Sequence, residues 1–352
     1  MFAVPTVLHA PMFSAKTAGL TLVAVLLVGF LTLGSDAPIV DPDLPLATSS
    51  YVLGDDIDDY ADAMMSGGPP PDGIPSIDDP RFLDAEDASL SARDKVIGVT
   101  HNGEARAYPQ RILVHHEIVN DAVGGTNVAI TYCPLTATAQ GFKRGDATLG
   151  VSGQLLNSNL VMFDRETDSY FSQIAATGLT GPLRGETLDE VNLIWTTWEK
   201  WRTAHPDTKV LSEDTDYLRN YNNDPYGRYN PIGGYYQARN VLFPLMHESD
   251  RHHPKEMVVG VRSSDNSAYF VRSTLKDERV LTTDSFLAVY DADLDTGRIY
   301  PRPDADVTPH DDGTYAINGE RYAADALPLD EQVGVEAFFF AWHAFYPDSE
   351  RP

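Results

Sequence analysis

Short apolar–polar alternations, broken by turn residues, run through most of this chain. KVIGV at 95–99 alternates and is β-branched, which predicts a strand. HNG at 101–103 predicts a tight turn, and EARAYP at 104–109 the returning strand. Pro109 opens a predicted helix over QRILVHHEIVND, Gly124–Gly125 predicts a second turn, and NVAITYC a further strand. Short strands follow in AQGFKRG, ATLGVSG and NLVMFDRETDSYFSQ. NLIWTTWEKWRTAHP then predicts a helix, with Trp195, Trp198 and Trp201 along one face; a core stripe is the commoner origin of such spacing than a stacking platform. The pattern describes an α+β protein of mostly short antiparallel strands with few short helices.

The same pattern sets the domain organisation. Residues 1–17 carry one charge, Lys16, and 18–34 are an uncharged apolar run, AGLTLVAVLLVGFLTLG. With Lys16 before it and Asp36, Asp41 and Asp43 after it, the run is expected to be a signal anchor with the rest of the chain outside the cell membrane, or a signal peptide cleaved to release a secreted protein. Residues 35–80, rich in Asp, Pro and Gly, are expected to be a flexible tether. The folded part is expected over 81–212, followed by a loop-rich connector at 213–255 and a further folded part at 256–352.

The two folded parts echo each other. MVVGV at 257–261 matches KVIGV, TYCPLTATAQGFKR pairs ungapped with VYDADLDTGRIYPR, and TTWEKWRTAHPD pairs with FFFAWHAFYPD. Tyr132 thereby meets Tyr290, Trp201 meets Trp342, and Asp291 stands where Cys133 stands. This predicts an internally duplicated unit whose second copy is degenerate. The segment holding His115 and His116 is expected to be shortened there, near Lys276 and Asp277.

Charge narrows the partners. The formal net charge is −26, from 52 acidic and 26 basic residues spread along the chain. Such a field disfavours nucleic acid and matches a solvated acidic surface of the kind suited to high salt. A single cysteine excludes an internal disulfide.

That cysteine anchors the candidate chemistry. A thiol reacts as thiolate, and a neighbouring imidazole or a metal favours ionisation. On the predicted helix His116 and Asn120 are four residues apart and share a face, as do Glu117 and Asp121. Two readings follow. Cys133, His116 and His115 could bind copper or zinc. Alternatively Cys133 is a nucleophile with His116 as base and Asn120, Asp121 or Glu117 orienting it. Metal binding ranks slightly ahead, because no complete triad is legible. The competing class is a cell-surface binding or structural module with an inert, buried Cys133. Ser152, Asn157, Asn159, Ser172 and Gln173 are weaker candidates for substrate contacts, and Asp164–Arg165 for an ion pair at a hairpin turn.

The segments DGIPSIDDPRF, VIGVTHNGEARAYPQRIL, HEIVND, TYCPLTATA, LGVSGQLLNSNLVMFDRETDSYFSQ and HPDTKVLS resemble the bacterial and archaeal domain-of-unknown-function family numbered 3179. The resemblance implies an extracytoplasmic domain, often behind a signal peptide or anchor, and no particular activity. The family's usual pattern is CPLC. Thr136 stands at the second cysteine position here, which argues against a dithiol role and leaves a single-thiol role open.

Overall fold

The computed structural model describes residues 43–352. The expected membrane segment at 18–34 lies outside them, and among the described residues no helix is long and apolar enough to cross a membrane. The described chain is mostly antiparallel β-sheet with five helices of seven residues each.

Three sheets build the part up to residue 212. One orders Ile194–Thr197, Lys95–His101, Glu104–Pro109, Lys209–Leu211 and Phe82–Asp84 side by side. A second orders Glu190–Val191, Thr138–Lys143, Thr126–Cys133 and Ile118–Val123. The third runs from Met65–Ser66 through Leu149–Leu156, Asn159–Asp164 and Tyr170–Ser172 to Gly178–Thr180. The predicted turns are where the sequence puts them. Asn102 and Gly103 have φ of 47° and 82°, and Gly124 and Gly125 have 55° and 78°. Two successive positive-φ residues match the right-handed twist of the flanking strands.

Two predicted helices stop short or start late. The one opened by Pro109 spans only Gln110–His116, and Ile118–Val123 is a strand paired with Thr126–Cys133, Asn120 opposite Ala129. Glu117 ends the helix in the left-handed conformation at φ 59°, its N–H bonded to the Leu113 carbonyl. Asn120 therefore does not share a helical face with His116. Similarly, Ile194–Thr197 is a strand against Lys95–Gly98, and the helix begins only at Trp198. The tryptophan stripe is split: Trp195 joins a different apolar cluster from Trp198 and Trp201. In both cases β-branched residues at the junction find a strand partner, and tertiary pairing overrides the helical period.

From residue 257 the same series of elements recurs: two antiparallel strands, a seven-residue helix, three antiparallel strands, then a strand returning beside the first and a final seven-residue helix. Glu117 and Arg279 both end their helices with positive φ, and their carbonyls accept the N–H of Tyr132 and Tyr290 respectively. The helices are equally long, so the shortening expected near Lys276 falls instead in the strand pair that follows, Val280–Thr282 with Phe286–Asp291. Trp201 and Trp342 lie fully buried over Gly98 and Gly260, and each indole N–H donates to a hydroxyl seven residues on, Thr208 at 2.9 Å and Ser349 at 3.0 Å. A methyl group on either glycine would overlap the indole ring. Gly98→Ala is expected to cost about 1–3 kcal/mol by overpacking, measured by urea unfolding.

Residues 43–80, expected as a flexible tether, are laid down on the domain. Tyr60 is fully buried and donates to the Phe345 carbonyl at 2.8 Å. Ile77 exchanges backbone hydrogen bonds with Ile118 and Asn120, and Val52 N–H bonds the Ser263 carbonyl. Scattered apolar anchors outweigh a composition that reads as linker.

Candidate functional site

Cys133 ends the strand Thr126–Cys133 opposite Thr138, before the turn Pro134–Ala137. Its sulfur is 1% exposed, in an apolar cluster with Ile118, Leu135, Leu160 and Phe171. The thiol donates to the Ser158 carbonyl at 3.8 Å. Burial, and next the charge of Glu117, push the thiol up to about 11, against hydrogen bonds from Thr136 that act the other way. The resting sulfur is a neutral thiol. Thr136 itself is held from both halves of the chain: its hydroxyl accepts from Asn159 at 2.9 Å and its carbonyl from Phe338 N–H at 2.8 Å.

His116 is fully buried but engaged elsewhere. Nδ1 lies 2.8 Å from the Pro75 carbonyl and Nε2 2.7 Å from the Tyr221 hydroxyl. A carbonyl only accepts, so Nδ1 carries the proton and Nε2 accepts from Tyr221. Burial pushes the imidazole down to about 4, so it is neutral at ordinary pH. With both nitrogens committed, the ring has no lone pair free for a metal or for Cys133. His115 bonds the Asn223 carbonyl at 3.0 Å. Among the described residues no group of three His, Cys, Asp or Glu side chains could hold a metal ion. The expected copper or zinc set of Cys133, His116 and His115 is not assembled, because the imidazoles are spent on the connector and on the 43–80 segment.

The remaining candidates are structural in their contacts. Asn120 bonds Asp78, the Leu149 carbonyl and the Leu149 N–H. Asn157 donates to the Ala344 carbonyl at 3.0 Å and accepts Met246 N–H at 2.8 Å. Asn159 and Gln173 bond one another at 2.8 Å, and Gln173 continues to Thr131. Ser152 donates to the Val161 carbonyl, and Ser172 accepts Ala175 N–H. Asp164 does not pair with Arg165. It caps its own turn through Glu166 and Thr167, while Arg165 pairs with Asp72 at 2.7 Å and Asp78 at 3.3 Å.

The charged neighbour of the thiol is Glu117, whose carbonyl accepts the N–H of Tyr132, the residue before Cys133. The residue is 8% exposed, and its carboxyl has no hydrogen-bonding side chain beside it among the described residues. Burial alone pushes it up to about 8. The left-handed backbone is shared with Arg279 in the second part, so it belongs to the architecture. The carboxylate at this position is particular to the first part, while Arg279 stands there in the second, and a carboxylate with few partners costs free energy in an apolar setting.

A hairpin of the connector, Gly227–Tyr229 with Ile232–Gly234, covers this end of the strand. Tyr226 and Tyr235 pack against the apolar cluster that holds Cys133. Tyr235 also donates to the Leu135 carbonyl at 2.9 Å. Tyr229 and Tyr236 stack at 4.2 Å and serve the opposite side: Tyr229 meets the Tyr132 hydroxyl at 3.1 Å, and Gln110 links Tyr132, Tyr236 and Asp224. Behind Tyr235 lies Lys255, its ammonium 3.2 Å from the ring centroid and pushed by burial down to about 7. Sequence reading offers Glu117 only as an orienter of the histidine and the tyrosine-rich connector only as a cover for a site, and it misses Lys255. The cluster of tyrosines within the connector is the visible signal of that cover.

These features define a mostly antiparallel β-protein with an enclosed thiol–carboxyl pair under a tyrosine hairpin. The chain belongs to the family described as "Protein of unknown function (DUF3179)", whose model matches residues 71–349. No curated protein and no solved structure matches it.

Proposed function

We propose that this is an extracytoplasmic, membrane-tethered protein whose working centre is Cys133 with Glu117 as its proton acceptor. In this reading the chain is an internally duplicated unit, and the second copy, with Asp291 in place of Cys133, serves as scaffold. The apolar run at 18–34 between Lys16 and Asp36 supports the tether, with secretion after cleavage as the alternative, and the charge of −26 speaks against nucleic acid as partner. The observation that carries the proposal is Glu117, 8% exposed, its carbonyl bonded to the N–H of Tyr132 next to the chain's only cysteine and its charge acting on that thiol. A carboxyl poised near 8 is matched to proton transfer close to neutral pH. When ionised it takes the thiol proton, and the sulfur becomes the nucleophile.

One observation favours a second reading, a binding or structural module with an inert thiol: the sulfur sits 1% exposed among apolar side chains. Alkylation of the full-length native protein by iodoacetamide across pH separates the two, since there is one cysteine to modify. The proposal expects a rate step near pH 8 that disappears in Glu117→Gln. Rates that rise together in both proteins, following thiol ionisation alone, support the inert thiol.

A further inference from the structure

The opposite side of the tyrosine hairpin opens on a cavity of about 260 Å³ whose charge runs against the rest of the molecule. Its lining includes Arg93, Lys95, Arg111 and Arg228, with Asp94 and Asp224 as the acidic members. In a chain with twice as many acidic as basic residues, such an excess of cations around one cavity is unusual.

The acids there are already committed. Asp94 accepts Ser91 N–H at 2.8 Å. Asp224 accepts from Gln110 at 3.0 Å, from Tyr236 at 2.8 Å and from Tyr226 N–H at 2.8 Å. Of the cations, Arg111 is committed as well, through Glu213 and the Ser89 carbonyl at 3.0 Å, and Arg93 and Arg228 are not. Arg93, Lys95 and Arg228 form no ion pair among the described residues. Arg111 pairs with Glu213 at 2.8 Å, yet its Nε is buried without a partner among the described residues. Lys95 is half-buried on its strand, while Arg93 and Arg228 stand exposed.

We propose that this cavity binds a small anion carrying carboxylate or phosphate groups, held by Arg93 and Arg228 against the Tyr229 ring. The guanidinium fork matches both anionic groups, and a concave site concentrates the local positive potential. The volume fits a small ligand and is below the range of drug-sized pockets. Tyr229 adds an aromatic wall to the cations. The site lies on the other side of the strand from Cys133 and stands independently of the reading proposed for it.

Isothermal titration of the full-length protein with inorganic phosphate and, separately, with citrate tests the site at low ionic strength. Saturable binding of at least one probe is expected, weakened about tenfold or more in the Arg93→Ala/Arg228→Ala double variant, equivalent to about 1.4 kcal/mol. Both side chains are exposed, so the variant is expected to fold, which its far-UV spectrum and unfolding midpoint verify. Arg321→Ala, at an exposed arginine outside the cavity, is expected to bind as the parent does. The stronger probe identifies the anionic group. Failure of both probes to saturate, or equal binding by parent and double variant, overturns the proposal. So does equal weakening in Arg321→Ala.

Discussion

Arg262→Met is expected to lower stability by about 3–5 kcal/mol, because it leaves Glu190 charged and unpaired in the interior. The side chains of Arg262 and Glu190 are 1% and 2% exposed and lie 2.9 Å apart. They join the strand Met257–Arg262 of the second half to Glu190–Val191 of the first. Arg262 also donates to Gln140 at 3.1 Å and lies 4.5 Å from the Tyr51 ring centroid. The pair is incompletely satisfied: Arg262 Nε and Nη1 and Glu190 Oε2 have no partner among the described residues. Desolvation is therefore poorly offset, and the double variant Arg262→Met/Glu190→Met is expected to recover most of the loss. Urea unfolding of the parent, the two single variants and the double variant closes the cycle. A single variant as stable as the parent would show that water reaches the pair.

Glu117→Gln carries the second large effect, and it depends on pH. The folded carboxyl lies near 8, above its ordinary 4.5. A raised acid contributes stability that is complete below the unfolded value and is lost as pH rises through the folded one. The loss therefore spans pH 4.5 to about 8. Glutamine keeps the shape and never ionises. The variant is expected to match the parent near the bottom of that window and to exceed it above the top by about 4 kcal/mol. Unfolding at the two ends of the window measures the difference. An equal gap at both ends would mean that Glu117 is hydrated in the folded protein.

Much of the first sheet was legible. Asn102–Gly103 and Gly124–Gly125 are turns whose chemistry is local, so neighbouring residues suffice to place them. Gly98 and Trp201, echoed by Gly260 and Trp342, are legible for another reason. A ring stacked on bare backbone allows no other residue beneath it, and the constraint marks both stretches.

The failures share a cause as well. Glu117 takes the left-handed conformation without being glycine or asparagine, so nothing local announces the helix end, and QRILVHHEIVND reads as one helix. His116 was placed with Cys133 by sequence proximity. Its actual partners are Pro75, from a stretch whose composition reads as a linker, and Tyr221, in the connector. Partners so far away in the chain leave no trace in the spacing of the histidines. Lys255 is invisible for the same reason, since its cage is assembled from Tyr235, Phe338 and Phe340.

The tyrosine hairpin serves both faces of the strand that ends at Cys133. Tyr226 and Tyr235 close one side of the strand ending at Cys133, and Tyr229 and Tyr236 close the other. Lifting the hairpin for one side disturbs the packing of the other. If a ligand on the arginine-lined face shifts the hairpin, reciprocity requires that a group reaching the sulfur change that ligand's affinity by the same free energy.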